Sequence, residues 1–367
     1  MAQVVLFDRS AASRRLIRSV LECEHDISVV EEFVQTADLM QYLMRSTPDL
    51  VLIDAHILSQ GGLEAIESIM SDCPLPILLL SEPDQDTPAS VLVHAMSRGA
   101  LAVESKPSIS DAQGGQSLRT AVRRLIRVPV VHHPRSRTRG APKARSTTAG
   151  TSPNLEHSSG GSFSADVANR VTEVVGIGAS AGGPGVVAEI LSGLPKDFSA
   201  CVMVVQHLPV GFADHFASFL RVRIQLPVEV AKASLATVPG QVIVAPDDAH
   251  LVIVDRGRCQ CLHSAAVRGH RPSIDILFES MARCYGSASL GVVLSGIGND
   301  GTVGLRAIRT SGGLTVCQDG ESAAVNGMPR AASESGAAAL RQTPREIIQT
   351  LLRAGSRNSE SGGLHDT

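Results

Sequence analysis

The stretch Val174-Val175-Gly176-Ile177-Gly178-Ala179-Ser180-Ala181-Gly182-Gly183-Pro184 decides the reading of this chain. A short apolar run leads into a turn of small residues, after which Val186, Val187, Ile190 and Leu191 recur at helical spacing. Strand, sharp turn and helix follow in order. Gly178 to Gly182 satisfies G-x-S-x-G, whose small neighbours let the turn close and lift the Ser180 hydroxyl to the rim of a sheet. Backbone N–H groups at the helix start then face a developing oxyanion. The same letters also satisfy G-x-G-x-x-A, a phosphate-binding fingerprint, so the turn alone leaves two chemistries open.

The same grammar extends in both directions. Val202-Met203-Val204-Val205, Gly291-Val292-Val293-Leu294 and Leu314-Thr315-Val316-Cys317 are further apolar runs, as are Val4-Val5-Leu6-Phe7, Ile27-Ser28-Val29-Val30, Leu50-Val51-Leu52-Ile53, Ile77-Leu78-Leu79-Leu80 and Leu101-Ala102-Val103. Between them Leu16, Ile17, Val20 and Leu21, and Leu63, Ile66, Ile69 and Met70, fall at helical spacing. Near-continuous apolar strands alternating with helices predict parallel sheets covered on both faces. Val242-Ile243-Val244 and Leu251-Val252-Ile253-Val254 read as an antiparallel excursion turning at Pro246-Asp247-Asp248.

At 367 residues the chain exceeds one compact domain. From His132 to Ser164 it is rich in Pro, Ser, Thr and Gly, with Arg135, Arg137, Arg139, Lys143 and Arg145 against Glu156 alone. So few large apolar side chains cannot offset the entropy of ordering. We therefore expect an α/β protein of two doubly wound parallel-sheet domains, at 1–125 and 171–355. A flexible basic linker over 126–170 joins them, and a disordered tail covers 356–367.

A formal charge of -3, no Trp and only 2 Tyr argue against nucleic acid as the main target. The 7 Cys are scattered and odd in number, which reads as reduced thiols used as small apolar residues. Asp8 interrupts the first apolar run too early for a secretory signal, and no run reaches the ~20 residues that span a bilayer. A cytoplasmic location without membrane insertion is expected.

Parallel sheets place their sites beyond the carboxyl ends of strands. In the second half Ser180, His207 and Asp300 all follow strands, and together they are what nucleophilic hydrolysis requires. Ser180 attacks, His207 takes and returns the proton, and Asp300 fixes the imidazole. Taken singly, His207 reads as a strand-end histidine and Asp300 as a turn former in Gly298-Asn299-Asp300-Gly301. The competing reading is a dinucleotide-binding domain, favoured by a second G-x-G-x-x-G at Gly296 to Gly301 and by Asp319 after the next strand. In the first half Asp8, Asp54, Ser81 and Lys106 follow the first, third, fourth and fifth strands, a set suited to transient phosphoryl acceptance.

The order Asp8, Asp54, Ser81, Lys106-Pro107 resembles the receiver domain of two-component response regulators. The resemblance implies Asp54 as phosphoacceptor, Asp8 and Asp54 as Mg²⁺-binding acids, Ser81 as switch hydroxyl and Lys106 as the phosphoryl-binding lysine. Where the family has an adjacent acidic pair this chain has Asp8-Arg9, and Ile57-Leu58 and Gly61-Gly62 replace the usual Met-Pro and Asp-Gly. A guanidinium ~4 Å from a cation, at an effective dielectric of about 20, costs of the order of 4 kcal/mol per unit of cation charge before it swings away. Poor phosphorylation of Asp54, or switching without the usual Mg²⁺ dependence, is expected.

After the linker, Gly178 to Gly183, Gln206-His207-Leu208-Pro209-Val210-Gly211-Phe212, His270-Arg271-Pro272-Ser273-Ile274-Asp275, Ser295 to Gly301 and Gly327-Met328-Pro329-Arg330 resemble, in order, the catalytic domain of chemotaxis protein-glutamate methylesterases, the CheB family. The resemblance implies cofactor-free hydrolysis of glutamate γ-methyl esters on the cytoplasmic helices of chemoreceptors, with deamidation of receptor glutamines as a further activity. It also implies a chemotaxis histidine kinase as phosphodonor and a receiver that covers the catalytic cleft until phosphorylated. His270, Arg271, Met328 and Arg330 would shape that cleft. Ala181 and Ile297 stand where the family usually has Thr and Met. A non-enzymatic signalling adaptor on the same fold is the other reading.

Overall fold

Val4, Val5, Leu6 and Phe7 are all fully buried, so the first strand is covered on both of its faces. The computed structural model describes residues 1–82, 87–108, 112–128, 130 and 171–355. In the first domain the strands are β1 (Ala2–Phe7), β2 (Ile27–Phe33), β3 (Leu50–Asp54), β4 (Ile77–Ser81) and β5 (Ala102–Ser105). They alternate with α1 (Ala11–Glu22), α2 (Thr36–Leu43), α3 (Gly62–Asp72), α4 (Ala89–Ser97) and α5 (Ala112–Leu125). The sheet runs β2-β1-β3-β4-β5, all parallel. Strand order reverses at β1, so a crevice opens between the ends of β1 and β3, where Asp8 and Asp54 stand.

The second domain opens with β6 (Val174–Ala179), α6 (Gly183–Ser192), β7 (Cys201–Gln206), α7 (Ala213–Arg221), β8 (Val228–Val230), β9 (Ser234–Ala236) and β10 (Val242–Val244). It continues through β11 (His250–Asp255), β12 (Arg258–Leu262), α8 (Ile274–Tyr285), β13 (Ser289–Val293) and α9 (Thr302–Thr310). The last elements are β14 (Leu314–Gln318), α10 (Gly327–Glu334), β15 (Leu340–Gln342) and α11 (Pro344–Gly355). A parallel sheet in the order β15-β14-β13-β6-β7-β10-β8 forms the centre. Because β6 lies between β13 and β7, the residues leaving these three strands share one rim: Ser180, Asp300 and His207.

The expected antiparallel excursion is corrected. β10 joins the main sheet, parallel to both β7 and β8, and β11 instead pairs with β12, which pairs in turn with β9. Val242, Ile243 and Val244 are buried almost completely, which a central strand covered on both faces accommodates and an exposed hairpin does not.

The domains pack against each other through apolar side chains. Val93 of α4 belongs to the cluster formed by α6 and α7, and Ala181 and Val325 belong to the cluster that holds Leu101 and Leu118. His94 meets Phe219 edge-on with centroids 5.4 Å apart. Ile126, Val128 and Val130 pack on the first domain, so the start of the expected linker is part of that body. Residues 131–170, the rest of the linker, and the tail at 356–367 lie outside the described residues.

Candidate active site

The Ser180 turn is clamped by its neighbours. Ser180 N–H donates to the Ser295 carbonyl at 2.9 Å, and the Ser180 carbonyl accepts from Gly183 N–H at 2.9 Å and Gln206 Nε2 at 2.7 Å. Ser295 Oγ donates to the Ala181 carbonyl at 2.7 Å. Gly182 has φ +72°, and a Cβ there would sit 2.7 Å from the Ala324 Cβ, so only glycine fits this corner. Neither the Ser180 hydroxyl nor the Ala181 N–H is hydrogen-bonded among the described residues. A hydroxyl and an adjacent backbone donor are thereby both left open, the pair that a nucleophile elbow requires.

His207 leaves β7 with its N–H on the Ala179 carbonyl at 2.9 Å, which seats it beside the serine turn. Its Nε2 lies 3.0 Å from Asp300 Oδ2. With the proton on Nε2 facing the carboxylate, the lone pair is on Nδ1, which is buried and has no partner among the described residues. Asp300 Oδ1 accepts from Ser273 Oγ at 3.0 Å, Asp275 N–H at 3.1 Å and Gly301 N–H at 3.0 Å, while Oδ2 also accepts from Ile274 N–H at 2.8 Å. The carboxylate thus sits on the N-terminus of α8, where free N–H groups and the helix dipole favour an anion. Burial alone would raise its pKa. The His207 hydrogen bond and charge and the Ile274 and Asp275 N–H groups outweigh burial and hold Asp300 ionised, well below the usual carboxylate range.

His270 lies parallel to His207, centroids 4.2 Å apart. It is set there by Val267 and His270, which exchange N–H···O bonds of 3.0 and 2.9 Å around Arg268 and Gly269, both at positive φ. Burial, then the charge of His207, lowers the His270 pKa. His207, His270 and Asp300 place ligand-type atoms within 4.8 Å of one another. Imidazole lone pairs lie in the ring plane, and two rings stacked 5° from parallel direct theirs along separate planes. The trio is a poor metal cage.

A cavity of about 390 Å³ is lined by Ser180, His207 and His270 from one domain and by Met96, Glu104 and Arg124 from the other. Of the other residues expected to shape the cleft, Arg271 instead bonds Asp248 and the Ser264 carbonyl, Met328 is fully buried beneath Gly296, and Arg330 is exposed on α10. These three do not line the cavity. Sequence reasoning missed the Ser273-Ile274-Asp275 cradle. It also missed His250, which is fully buried with Nδ1 accepting from Ser273 N–H at 3.0 Å. Pro272 just before a helical pattern marks a helix start, but only the fold shows which anion that start faces.

A model of the CheB methylesterase family matches residues 175–351, and one of the response regulator receiver domain matches residues 4–113. The protein-glutamate methylesterase/protein-glutamine glutaminase 3 of Anaeromyxobacter dehalogenans (strain 2CP-C) is 33% identical, over 96% of this chain and 98% of its own length. The chain belongs to the CheB methylesterase family. Protein-glutamate methylesterase/protein-glutamine glutaminase 4 of Myxococcus xanthus (strain DK1622) is 34% identical over 89% of each chain. The crystal structure of the Thermotoga maritima CheB methylesterase catalytic domain is 34% identical, covering 49% of this chain and 97% of that one, at a TM-score of 0.48. CheB membership replaces the dinucleotide reading, and the two glycine turns serve to carry Ser180 and Asp300 to one rim.

In the receiver domain of this CheB family member, Lys106 Nζ lies 3.0 Å from Asp8, 2.9 Å from Asp54 and 3.3 Å from Glu82. Burial would lower its pKa, but Asp54 and Asp8 outweigh burial and hold the ammonium above the ordinary lysine range. Ser81 is tied to this group by its carbonyl, which accepts from Lys106 N–H at 2.9 Å. Glu82 was missed because nothing local marks a residue after a strand end as the third partner of a distant lysine. Arg9 avoids the expected repulsion by turning outward to the Gln60 side-chain oxygen.

The residues fit Mg²⁺ poorly. Asp8 Oδ1 already accepts from Ser10 N–H at 2.7 Å, and its Oδ2 accepts from Ser13 Oγ at 2.6 Å and from Lys106. The neighbouring acid is absent, and hard divalent cations depend on such oxygens.

Proposed function

We propose that this chain hydrolyses γ-methyl esters of glutamate on chemoreceptor cytoplasmic helices, by a covalent route through Ser180, and that it deamidates receptor glutamines by the same route. The observation that carries this is the His207–Asp300 hydrogen bond of 3.0 Å beside the unbonded Ser180 hydroxyl. Ser180 Oγ attacks the γ-carbonyl carbon while its proton passes to His207 Nδ1. The resulting imidazolium is stabilised by Asp300, and the oxyanion faces the Ala181 N–H. The carbon–oxygen bond to the methoxy group then breaks, and Nδ1 returns the proton to form methanol. Water, deprotonated by the same nitrogen, releases the glutamate carboxylate and regenerates Ser180. With glutamine, ammonia leaves instead.

Asp54 is the proposed phosphoacceptor, with a chemotaxis histidine kinase as donor. The cavity shared by both domains supports a receiver that blocks the cleft until modified. Among the described residues no helix is long and apolar enough to cross a membrane. We place the chain in the cytoplasm, where its receptor helices are exposed.

The test is methanol release from methylated receptor membranes. Ser180→Ala is expected to lower it by about 10³-fold or more. Equal release by variant and wild type would refute covalent catalysis by Ser180 and favour an adaptor.

A further inference from the structure

We propose that Arg9 takes the place of a divalent cation in the receiver pocket, so that Asp54 accepts a phosphoryl group without metal. This rests on Asp54 being the acceptor. Both Asp8 oxygens are committed to Ser10, Ser13 and Lys106, and Asp54 Oδ1 is committed to Lys106 at 2.9 Å and His56 N–H at 3.2 Å. What remains is Asp54 Oδ2, which has no hydrogen-bond partner among the described residues.

One carboxylate plus one divalent cation carries a single net positive charge, and so does one guanidinium. Replacing an acid by Arg9 therefore keeps the electrostatic sum that a phosphoryl group meets, provided no metal binds. Arg9 is exposed at the edge of the pocket and has to swing inward to meet a phosphoryl group. It follows β1 directly beside Asp8, and its Nη1 reaches Gln60, the last residue of the 3₁₀ turn (Ala55–Gln60) that Asp54 caps. The guanidinium thus bridges the two segments that carry the pocket's carboxylates. Arg14, by contrast, is already committed to Glu32 at 2.8 Å and to the Asp8 carbonyl at 2.7 Å. Arg9 forms no ion pair among the described residues, and its planar fork matches two phosphoryl oxygens.

The step balances without a metal or a proton. Asp54 Oδ2 attacks the phosphorus of an acyl phosphate donor. The bond from phosphorus to the donor oxygen breaks, its electron pair leaves on acetate, and Asp54 becomes an acyl phosphate. Lys106 and Arg9 then hold the phosphoryl oxygens.

The full chain is incubated with radiolabelled acetyl phosphate, in Mg²⁺ or in EDTA, with Asp54→Asn as the background. Wild type is expected to label to the same extent in both, within about twofold, since the cation it uses is covalently attached. Arg9→Asp restores the acidic pair and is expected to label only in Mg²⁺. Arg9→Gln removes the charge without adding a ligand, and is expected to label about tenfold more slowly in both conditions. Loss of wild-type label in EDTA, or Arg9→Asp labelling as wild type does, overturns the proposal. Wild type failing to label in either condition while Arg9→Asp labels in Mg²⁺ overturns it too, and leaves Asp54 as acceptor. No label above the Asp54→Asn background in any variant overturns the acceptor reading itself.

Discussion

The imidazole rings of His207 and His270 lie face to face, centroids 4.2 Å apart and 5° from parallel. A neutral ring on the face of an imidazolium stabilises that charge as aromatic faces stabilise cations, by about 1–2 kcal/mol. A protonated ring would repel it. In the proposed mechanism, the stack therefore favours the charged His207 that forms during attack only while His270 is neutral.

Replacing His270 separates these effects. His270→Ala is expected to lower kcat about five- to thirtyfold, the kinetic equivalent of the lost stacking. His270→Phe keeps a ring face and is expected to retain most of kcat. The pH profile tells the two roles apart. The His270 pKa lies below its ordinary value of 6.5, so the ring is neutral above that pH and gains a proton only as pH falls through the lower folded value. The unfolded chain binds the proton first, so the stability due to neutral His270 is complete above about 6.5 and declines below it. The acid limb of kcat/KM should be shallower in His270→Phe than in wild type, by the proton that His270 takes up. An identical limb in both would show that His270 does not titrate against the base.

Asp300→Asn is expected to cost about 10³- to 10⁴-fold in kcat, because an amide no longer fixes the Nε2–H tautomer. It also turns an NH₂ group toward the N–H donors of Ile274 and Asp275, leaving one of these buried donors unsatisfied. A lowered Tm should accompany the lost methanol release. Unchanged turnover would remove Asp300 from the mechanism.

Gly185 lies in the first turn of α6, where an added Cβ would sit 2.7 Å from the Ser97 carbonyl at the end of α4. Its neighbour across that gap is receiver backbone, which cannot swing aside as a flexible side chain does. Gly185→Leu is therefore expected to push the receiver off the cleft and raise methanol release in the absence of any phosphodonor. Limited proteolysis between the domains should accelerate in parallel. Release no faster than wild type would show that this contact does not hold the cleft shut.

Glu82 holds the third donor of Lys106, at 3.3 Å, after Asp54 and Asp8 have taken the other two. An ammonium has three N–H groups, so a phosphoryl oxygen must displace one partner. Glu82 is the most exposed of the three carboxylates, and its departure costs least. Glu82→Ala is expected to speed Asp54 labelling by acetyl phosphate about tenfold, by removing both a competitor and a like charge. A slower rate would mean that Glu82 assists the transfer.

Much of this architecture was legible beforehand. Strand-end positions follow from local pattern, because an apolar run with period-free burial becomes a central parallel strand and its exit is fixed by where polarity resumes. Ser180, His207, Asp8, Asp54, Ser81 and Lys106 stand at strand ends that this pattern marks, whereas Asp300 lies further on, in the glycine turn after β13. Local pattern failed at β10, since a three-residue apolar run has no period that separates a hairpin from an inserted sheet strand.

What the sequence determined by itself, then, was the alternation of strand and helix, the two parallel sheets and the residues at their carboxyl ends, but not the small antiparallel sheet β11-β12-β9. Tertiary structure alone decided what those residues touch: that Asp300 rests on the start of α8, that His270 stacks on His207, that Glu82 reaches Lys106, and that Arg9 turns to Gln60. Backbone periodicity is set by neighbours a few positions away and is written in the chain. Contacts between side chains far apart in sequence depend on the packing of whole elements, and exist only once the sheets have closed.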